Sequence, residues 1–225
     1  MKKSADKHSS LFLYISVAFT ACLLLSNLIA GKLISVFGVV LPAAVILFPV
    51  TYILGDIFTE VYGFKAARKV IWCGFMCNFL AVLIYFATIA LPYPDYWTEQ
   101  TAYAAVLGTT PRIFAASLLG YLFGEFLNSI VLSRMKVITN GGRLWHRTLF
   151  SSVIGEAFDT FIFITVAFWG LYDASVIWTM ILFQYLWKLC YEAVLTPLIC
   201  YIINRVKRYE GVDAYDVGVK YNPFR

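Results

Sequence analysis

The sequence predicts an all-α integral membrane protein: a bundle of six transmembrane helices with N and C termini cytoplasmic. Three observations predict it. Hydrophobic residues make up 61% of the 225 and charged residues 14%, against about 45–50% and about 25% in ordinary soluble domains. Six apolar stretches each approach the ~20 residues that a spanning helix needs. Lys and Arg gather between alternate stretches, as topology rules demand. A soluble globule of this size could not bury so much apolar surface. A soluble enzyme, a disordered chain and a nucleic-acid-binding domain are therefore excluded, despite a net charge of +5.

The first helix, about 10–30, follows Lys2, Lys3 and Lys7. Phe19-Thr20-Ala21-Cys22 resembles a lipoprotein cleavage site, but the apolar run continues through Leu23-Leu24-Leu25 to Ala30. That is too long for a signal core and predicts a retained helix. Residues 33–40 are apolar yet precede Pro42, and predict an interfacial or re-entrant piece. The second helix, 42–63, opens on Pro42, since proline suits a first helical turn. The remaining helices are expected at 70–91, 111–133, 148–170 and 176–203. Residues 1–208 then form a single membrane domain. Residues 209–225 form a polar, partly disordered cytoplasmic tail. The longest outer loop, 92–110, carries Trp97 and several tyrosines near the interface.

Fifteen of the 18 basic residues fall on one side of this topology. They are Lys2, Lys3 and Lys7; Lys65, Arg68 and Lys69; Arg134, Lys136, Arg143 and Arg147; and Arg205, Lys207, Arg208, Lys220 and Arg225. Lys32 and Arg112 fall on the other side, and Lys188 lies within a helix. The five cysteines, Cys22, Cys73, Cys77, Cys190 and Cys200, sit inside apolar runs. There they read as small buried hydrophobes rather than a disulfide or zinc framework.

Polar residues inside the helices carry the functional signal. A charge at mid-bilayer costs about 2.5–3.5 kcal/mol on insertion scales. Glu125, Glu156, Asp159, Lys188 and Glu192 lie near the middle of helices four to six. They must face one another or a wet cavity. A structural ion-pair cluster and a substrate site both satisfy that demand. Gln184, Lys188 and Glu192 recur every four residues and share one stripe. Glu156 with Asp159, and Glu125 with Asn128, are three apart and also share faces. The five charges sum to −3, which calls for a proton or a donor-rich ligand.

Two further polar sets are ambiguous. Asn27 is equally a helix–helix hydrogen bond or a ligand contact. Asp56 and Glu60, followed by Lys65 and Arg68, read as a salt-bridge corner or a gate. Gly55-Asp56-Ile57-Phe58-Thr59-Glu60 echoes Gly155-Glu156-Ala157-Phe158-Asp159-Thr160, as an inverted repeat would. No hydrolase, zincin or nucleotide-binding signature occurs. His8 and His146 fall at the interface, so no catalytic residue, metal or cofactor is predicted.

Pro49-Val50-Thr51-Tyr52-Ile53-Leu54-Gly55-Asp56-Ile57-Phe58-Thr59-Glu60-Val61-Tyr62-Gly63, followed by Ala67-Arg68, resembles a hallmark of the queuosine precursor transporter family, also called vitamin-uptake-transporter-like. Ser26-Asn27, Pro111-Arg112, Gly155-Glu156 with Asp159-Thr160, and Lys188 with Glu192 add weaker matches in the right order. The resemblance covers about residues 11–205. It implies a fold like the substrate-binding subunits of energy-coupling-factor importers. It also implies import of 7-cyano- or 7-aminomethyl-7-deazaguanine across a bacterial inner membrane for tRNA queuosine salvage.

The expected substrate-binding residues are Asn27, Glu125, Asn128, Glu156, Asp159, Gln184, Lys188 and Glu192. Asp56, Glu60, Arg68 and Arg112 are expected to be structural or gating. Carboxylates can take the donors of a guanine-like edge, and Lys188 or Gln184 can donate to its carbonyl. Phe158, Phe161, Phe183, Tyr185, Trp187 and Tyr191 offer stacking surfaces. The expected partners are a small 7-deazapurine and the lipid bilayer, without nucleic acid; a homo-oligomer stays open. A stand-alone secondary importer, with a proton as the candidate coupling ion, ranks first. The alternative is a substrate-binding subunit of an ATP-driven importer for a vitamin-like heterocycle. A lipid-modifying enzyme ranks last.

Overall fold

Seven helices and one short hairpin make up the computed structural model, which describes residues 9–30, 32–36, 39–108 and 111–224. Lys2, Lys3, Lys7, His8 and Arg225 lie outside the described residues. Helix α1 spans Ser10–Ile29, with the Ser9 hydroxyl accepting from the Phe12 amide at 3.1 Å. Such a cap satisfies one of the free N–H groups of a first turn. Strands β1 (Leu33–Val36) and β2 (Val39–Pro42) pair antiparallel. A 3₁₀ turn, Ala43–Ile46, leads into α2 (Phe48–Ile57), which a π turn extends over Phe58–Tyr62. Helices α3 (Phe64–Ala90), α4 (Gln100–Leu107), α5 (Pro111–Ile138), α6 (Leu144–Phe168) and α7 (Ala174–Glu210) follow.

Among the described residues, five spans are long and apolar enough to cross a membrane: α1, α3, α5 with α4 ahead of it, α6 and α7. The expected sixth span, 42–63, is broken instead. Pro42 ends β2, and α2 with its π turn covers 48–62. That is shorter than the ~20 residues needed to cross. Broken backbone is tolerated at membrane depth only where protein surrounds it. Here α1, α5 and α7 all pack on α2, and Thr51, Tyr52, Gly55, Asp56 and Ile57 are buried. The piece expected to be re-entrant at 33–40 is the β hairpin.

Close backbone approach joins α5 to α6. A Cβ on Gly155 would lie 2.8 Å from the Gly124 carbonyl, and one on Gly124 would lie 3.0 Å from that of Gly155. Small residues spaced by four let membrane helices meet in this way, and Gly120 and Gly124 have that spacing. Both halves of the sequence echo face α5: a Cβ on Gly55 would meet Glu125 Oε2 at 2.7 Å.

The C-terminal tail is ordered, contrary to the expectation of partial disorder. Val61 accepts from the Ala214 amide at 3.0 Å. Asp216 Oδ2 accepts from the Phe64 amide at 2.7 Å and from the Ser133 hydroxyl at 2.6 Å. Gly63, at φ +85°, makes the turn that exposes that amide. Trp72 Nε1 donates to the Pro223 carbonyl at 2.7 Å, and Arg68 donates to that of Asn222 at 3.0 Å. The start of α1 is at the same end, with Phe12 edge-on to Tyr62 at 4.9 Å.

Candidate functional site

An open cavity with about 720 Å³ of empty volume lies at the hairpin end of the bundle. Each wall comes from a different element. Asn27 projects from α1, Phe48 from the start of α2, and Phe114 and Ser117 from α5. Asp159 and Phe163 project from α6, and Gln184 and Lys188 from α7. Lys188 Nζ pairs with Asp159 Oδ2, both side chains being 6% exposed. The same ammonium stands 5.3 Å from the centre of the Phe48 ring, within cation–π range. The cavity thus combines an ion pair, two carboxamides, a hydroxyl and three phenyl rings. That suits a flat, polar-edged heterocycle: rings for its faces, hydrogen-bonding groups for its rim.

The cavity gathers four of the expected substrate residues: Asn27, Asp159, Gln184 and Lys188. The other four, Glu125, Asn128, Glu156 and Glu192, do not line it and are buried within the bundle. Asn128 donates to Asp56 Oδ1 at 2.8 Å, and Ser152 donates to Glu192 Oε1 at 2.9 Å. Among the described residues, both oxygens of Glu125, Oε2 of Glu156 and of Glu192, Oδ2 of Asp56 and the Tyr52 hydroxyl lack a protein partner. Among the described residues, one ion pair joins this core, Lys188 to Asp159. Leaving the carboxyls of Asp56, Glu125, Glu156 and Glu192 charged there without a counter-charge would be prohibitive.

The far end is closed by charge. Fully buried Glu60 meets Arg147 at 2.6 Å, Lys207 at 2.5 Å and Lys136 at 3.4 Å. Asp213 of the tail bridges Lys136 at 2.5 Å and Lys207 at 2.9 Å. Burial acts to raise the Asp213 carboxyl, but the hydrogen bonds from Lys136 and Lys207 outweigh it and hold it below its ordinary range. The expected partnership of Asp56 and Glu60 with Lys65 and Arg68 is therefore replaced. Glu60 takes its cations from α5, α6 and α7, and Arg68 holds the tail. Arg112 Nε donates to the Val166 carbonyl at 2.6 Å, and its Nη2 to that of Trp169. It caps the end of α6.

The aromatic candidates also change. Phe158, Phe161 and Phe183 are 49%, 45% and 51% exposed and face outward. Tyr185 donates to the Val153 carbonyl at 3.2 Å. None of the six expected rings lines the cavity; Phe48, Phe114 and Phe163 do. Phe48 was findable in the sequence, because it directly precedes Pro49 and the hallmark run. Ser117, four residues before Tyr121 in an apolar helix, carried no signal.

Known proteins resemble this chain in sequence over most of its length. A "Probable queuosine precursor transporter" of Bacillus subtilis is 30% identical over 188 residues, covering 83% of this chain and 80% of that protein. The "Queuosine precursor transporter" of Escherichia coli is 26% identical, covering 75% of this chain and 73% of that protein. A Haemophilus influenzae protein of the same description as the first is 26% identical, over 72% and 68%. No solved structure matches. The family described as "Putative vitamin uptake transporter" matches residues 42–202, which hold most of the cavity lining together with Glu60, Lys136 and Arg147, and this multi-pass membrane chain belongs to it.

Proposed function

We propose that this chain is a transporter that imports a queuosine precursor, 7-cyano-7-deazaguanine or its aminomethyl form, across a bacterial inner membrane. The observation that carries the reading is the cavity itself. Asn27, Asp159, Gln184 and Lys188 stand beside three phenyl rings, in a chain whose relatives bear that substrate in their names. A 7-deazaguanine edge carries two N–H donors beside a carbonyl. Asp159 accepts from the exocyclic amine, a carboxamide or Lys188 donates to the carbonyl, and Phe48, Phe114 or Phe163 covers the ring. Buried polar pairing of this kind rejects analogues lacking the matching groups by large factors.

Transport requires the opposite end to open in turn. Ser117 of the cavity and Lys136 of the Glu60 cluster are both on α5, separated by roughly 28 Å at 1.5 Å per residue. The basic residues flanking the Glu60 end support a cytoplasmic position for it. The structure is then open outward and shut inward by the cluster and the tail. Energy comes from secondary coupling, with the buried carboxyls as carriers of a proton.

The test is queuosine in tRNA, in a host lacking precursor synthesis and its own importer but keeping the later enzymes. Wild type restores queuosine from limiting external 7-deazaguanines, and Lys188→Ala at equal abundance does not. No restoration despite good expression would overturn the reading. Uptake indifferent to uncouplers would remove the proton, and co-purification with an ATPase would make the chain a binding subunit.

A further inference from the structure

Asn27 and Phe114 each line two cavities. One holds Lys188 and Asp159. The other, of about 290 Å³ empty volume, lies behind Asn27 and is lined by Asn78 and Tyr85 of α3 and by Leu107 of α4. The Asn27 carboxamide is held at both ends. Its Nδ2 donates to Asn78 Oδ1 at 2.6 Å. Its Oδ1 accepts from the Ser117 hydroxyl at 2.6 Å.

These two holds are not equivalent. A hydroxyl can donate or accept, so Ser117 tolerates either orientation of the amide. Asn78 does not. It is 2% exposed, and its own Nδ2 donates to the Gly74 carbonyl at 3.0 Å. A carbonyl only accepts, so Asn78 must turn its nitrogen to Gly74 and its oxygen to Asn27. A flipped Asn27 would then set oxygen against oxygen. Of these two contacts, Asn78 is the one that decides which end of Asn27 is the donor.

A carboxamide has two N–H donors and two acceptor lone pairs. The clamp uses one of each and leaves one of each, on a group that lines the substrate cavity. We propose that Asn78 is a positioning residue: from behind the cavity it fixes the Asn27 amide, so that Asn27 reads the ring N–H and carbonyl of a cyclic-amide ligand. This rests on the transport reading for the identity of that ligand. Without Asn78, Asn27 populates both orientations. The binding-competent fraction falls, and the apparent affinity falls with it.

The experiment measures equilibrium binding to the full chain in nanodiscs. The probes are 7-cyano-7-deazaguanine, its counterpart with the ring carbonyl replaced by hydrogen, and guanine. Asn78→Ala is expected to weaken binding of the first probe about 10-fold, the value of one hydrogen bond. It should bring the affinity ratio between the first two probes toward one. Ser117→Ala should weaken binding about 3-fold and keep the ratio. Asn27→Ala/Asn78→Ala should be no weaker than Asn27→Ala alone, because Asn78 acts through Asn27. Asn78→Leu, which leaves no hole, stands in if the alanine variant does not fold.

Wild-type affinity and ratio in the Asn78 variant, or losses that simply multiply in the double variant, would overturn the proposal and leave the transport reading intact. If wild type binds guanine but neither deazapurine, the substrate reading falls and the same variants decide the Asn78 role on guanine. Binding of none of the three overturns both.

Discussion

Glu60 and Arg147, 87 residues apart, meet in a two-pronged ion pair with Nε to Oε2 at 3.1 Å and Nη2 to Oε1 at 2.6 Å. Both are essentially without solvent contact. This pair ties the π turn after α2 to the start of α6, and Lys136 and Lys207 converge on the same carboxylate. Among the described residues, Glu60→Gln would leave Arg147 without a carboxylate partner and Lys136 and Lys207 with Asp213 only. Breaking a buried pair costs about 3–5 kcal/mol, so the detergent-solubilised protein should melt well below wild type. Glu60→Met/Arg147→Met should recover part of the loss, because it removes both charges. An unchanged melting temperature for Glu60→Gln would show that the pair does not hold this end together.

Lys188 and Asp159 should behave differently, because their pair lines a cavity. Lys188→Ala removes both the ammonium and its contact with the Phe48 ring. Losing a charge-assisted bond of about 1.5–3 kcal/mol corresponds to a fall in ligand affinity of about 10- to 100-fold. Asp159→Asn should bind weakly while folding normally. Titration with 7-cyano-7-deazaguanine checks both, and wild-type affinity in either variant would remove the pair from the site.

These two clusters show what could be read from the sequence. Burial cost alone placed Asp159 and Lys188 inside the bundle, and their spacing put them on facing stripes. The same reasoning grouped Glu125, Glu156 and Glu192 with them, since a depth along a helix does not reveal which way a face turns. Of the eight expected substrate residues, four line the cavity and four lie buried away from it. Hydropathy could not see the break in the second stretch, because a short helix wrapped by protein is as apolar as one that spans. Lys136, Arg147 and Lys207 were counted as topology signals. Their convergence on Glu60 depends on tertiary packing that no local pattern encodes. The tail looked disordered by composition, yet Asp213 and Asp216 find partners on α3, α5 and α7.

The meeting of α5 and α6 depends on having no side chain at two points. Gly155→Ala brings a methyl to 2.8 Å from the Gly124 carbonyl, and Gly124→Ala brings one to 3.0 Å from that of Gly155. Backbone cannot swing aside, so the helices must part. Overpacking of this kind costs about 1–3 kcal/mol. Because Asp159 is one turn from Gly155 on the same face, each substitution should also weaken substrate binding. Melting curves and titrations on both variants check this, and full stability in both would mean that the helices are further apart.

The tail should release in acid, and the sign follows from Asp213. Its carboxyl lies below its ordinary range because Lys136 and Lys207 hold the charged form against burial. The attachment is therefore fully present above the ordinary Asp value of about 3.9. It is lost as pH falls through the lowered value. Asp213 is 45% exposed, so solvent screens much of the attraction, and the effect should be confined to the tail. Limited proteolysis across pH, read by mass spectrometry, should show residues 212–224 protected through neutral and mildly acidic conditions and cleaved only in stronger acid. Asp213→Asn should be cut sooner at neutral pH and lose most of the pH step. Asp216→Ala should expose the start of α3, at a cost of about 0.5–2 kcal/mol for a lost cap. If Asp213→Asn is as protected as wild type at neutral pH, the tail is held by its aromatic contacts rather than by the lysines that also close on Glu60.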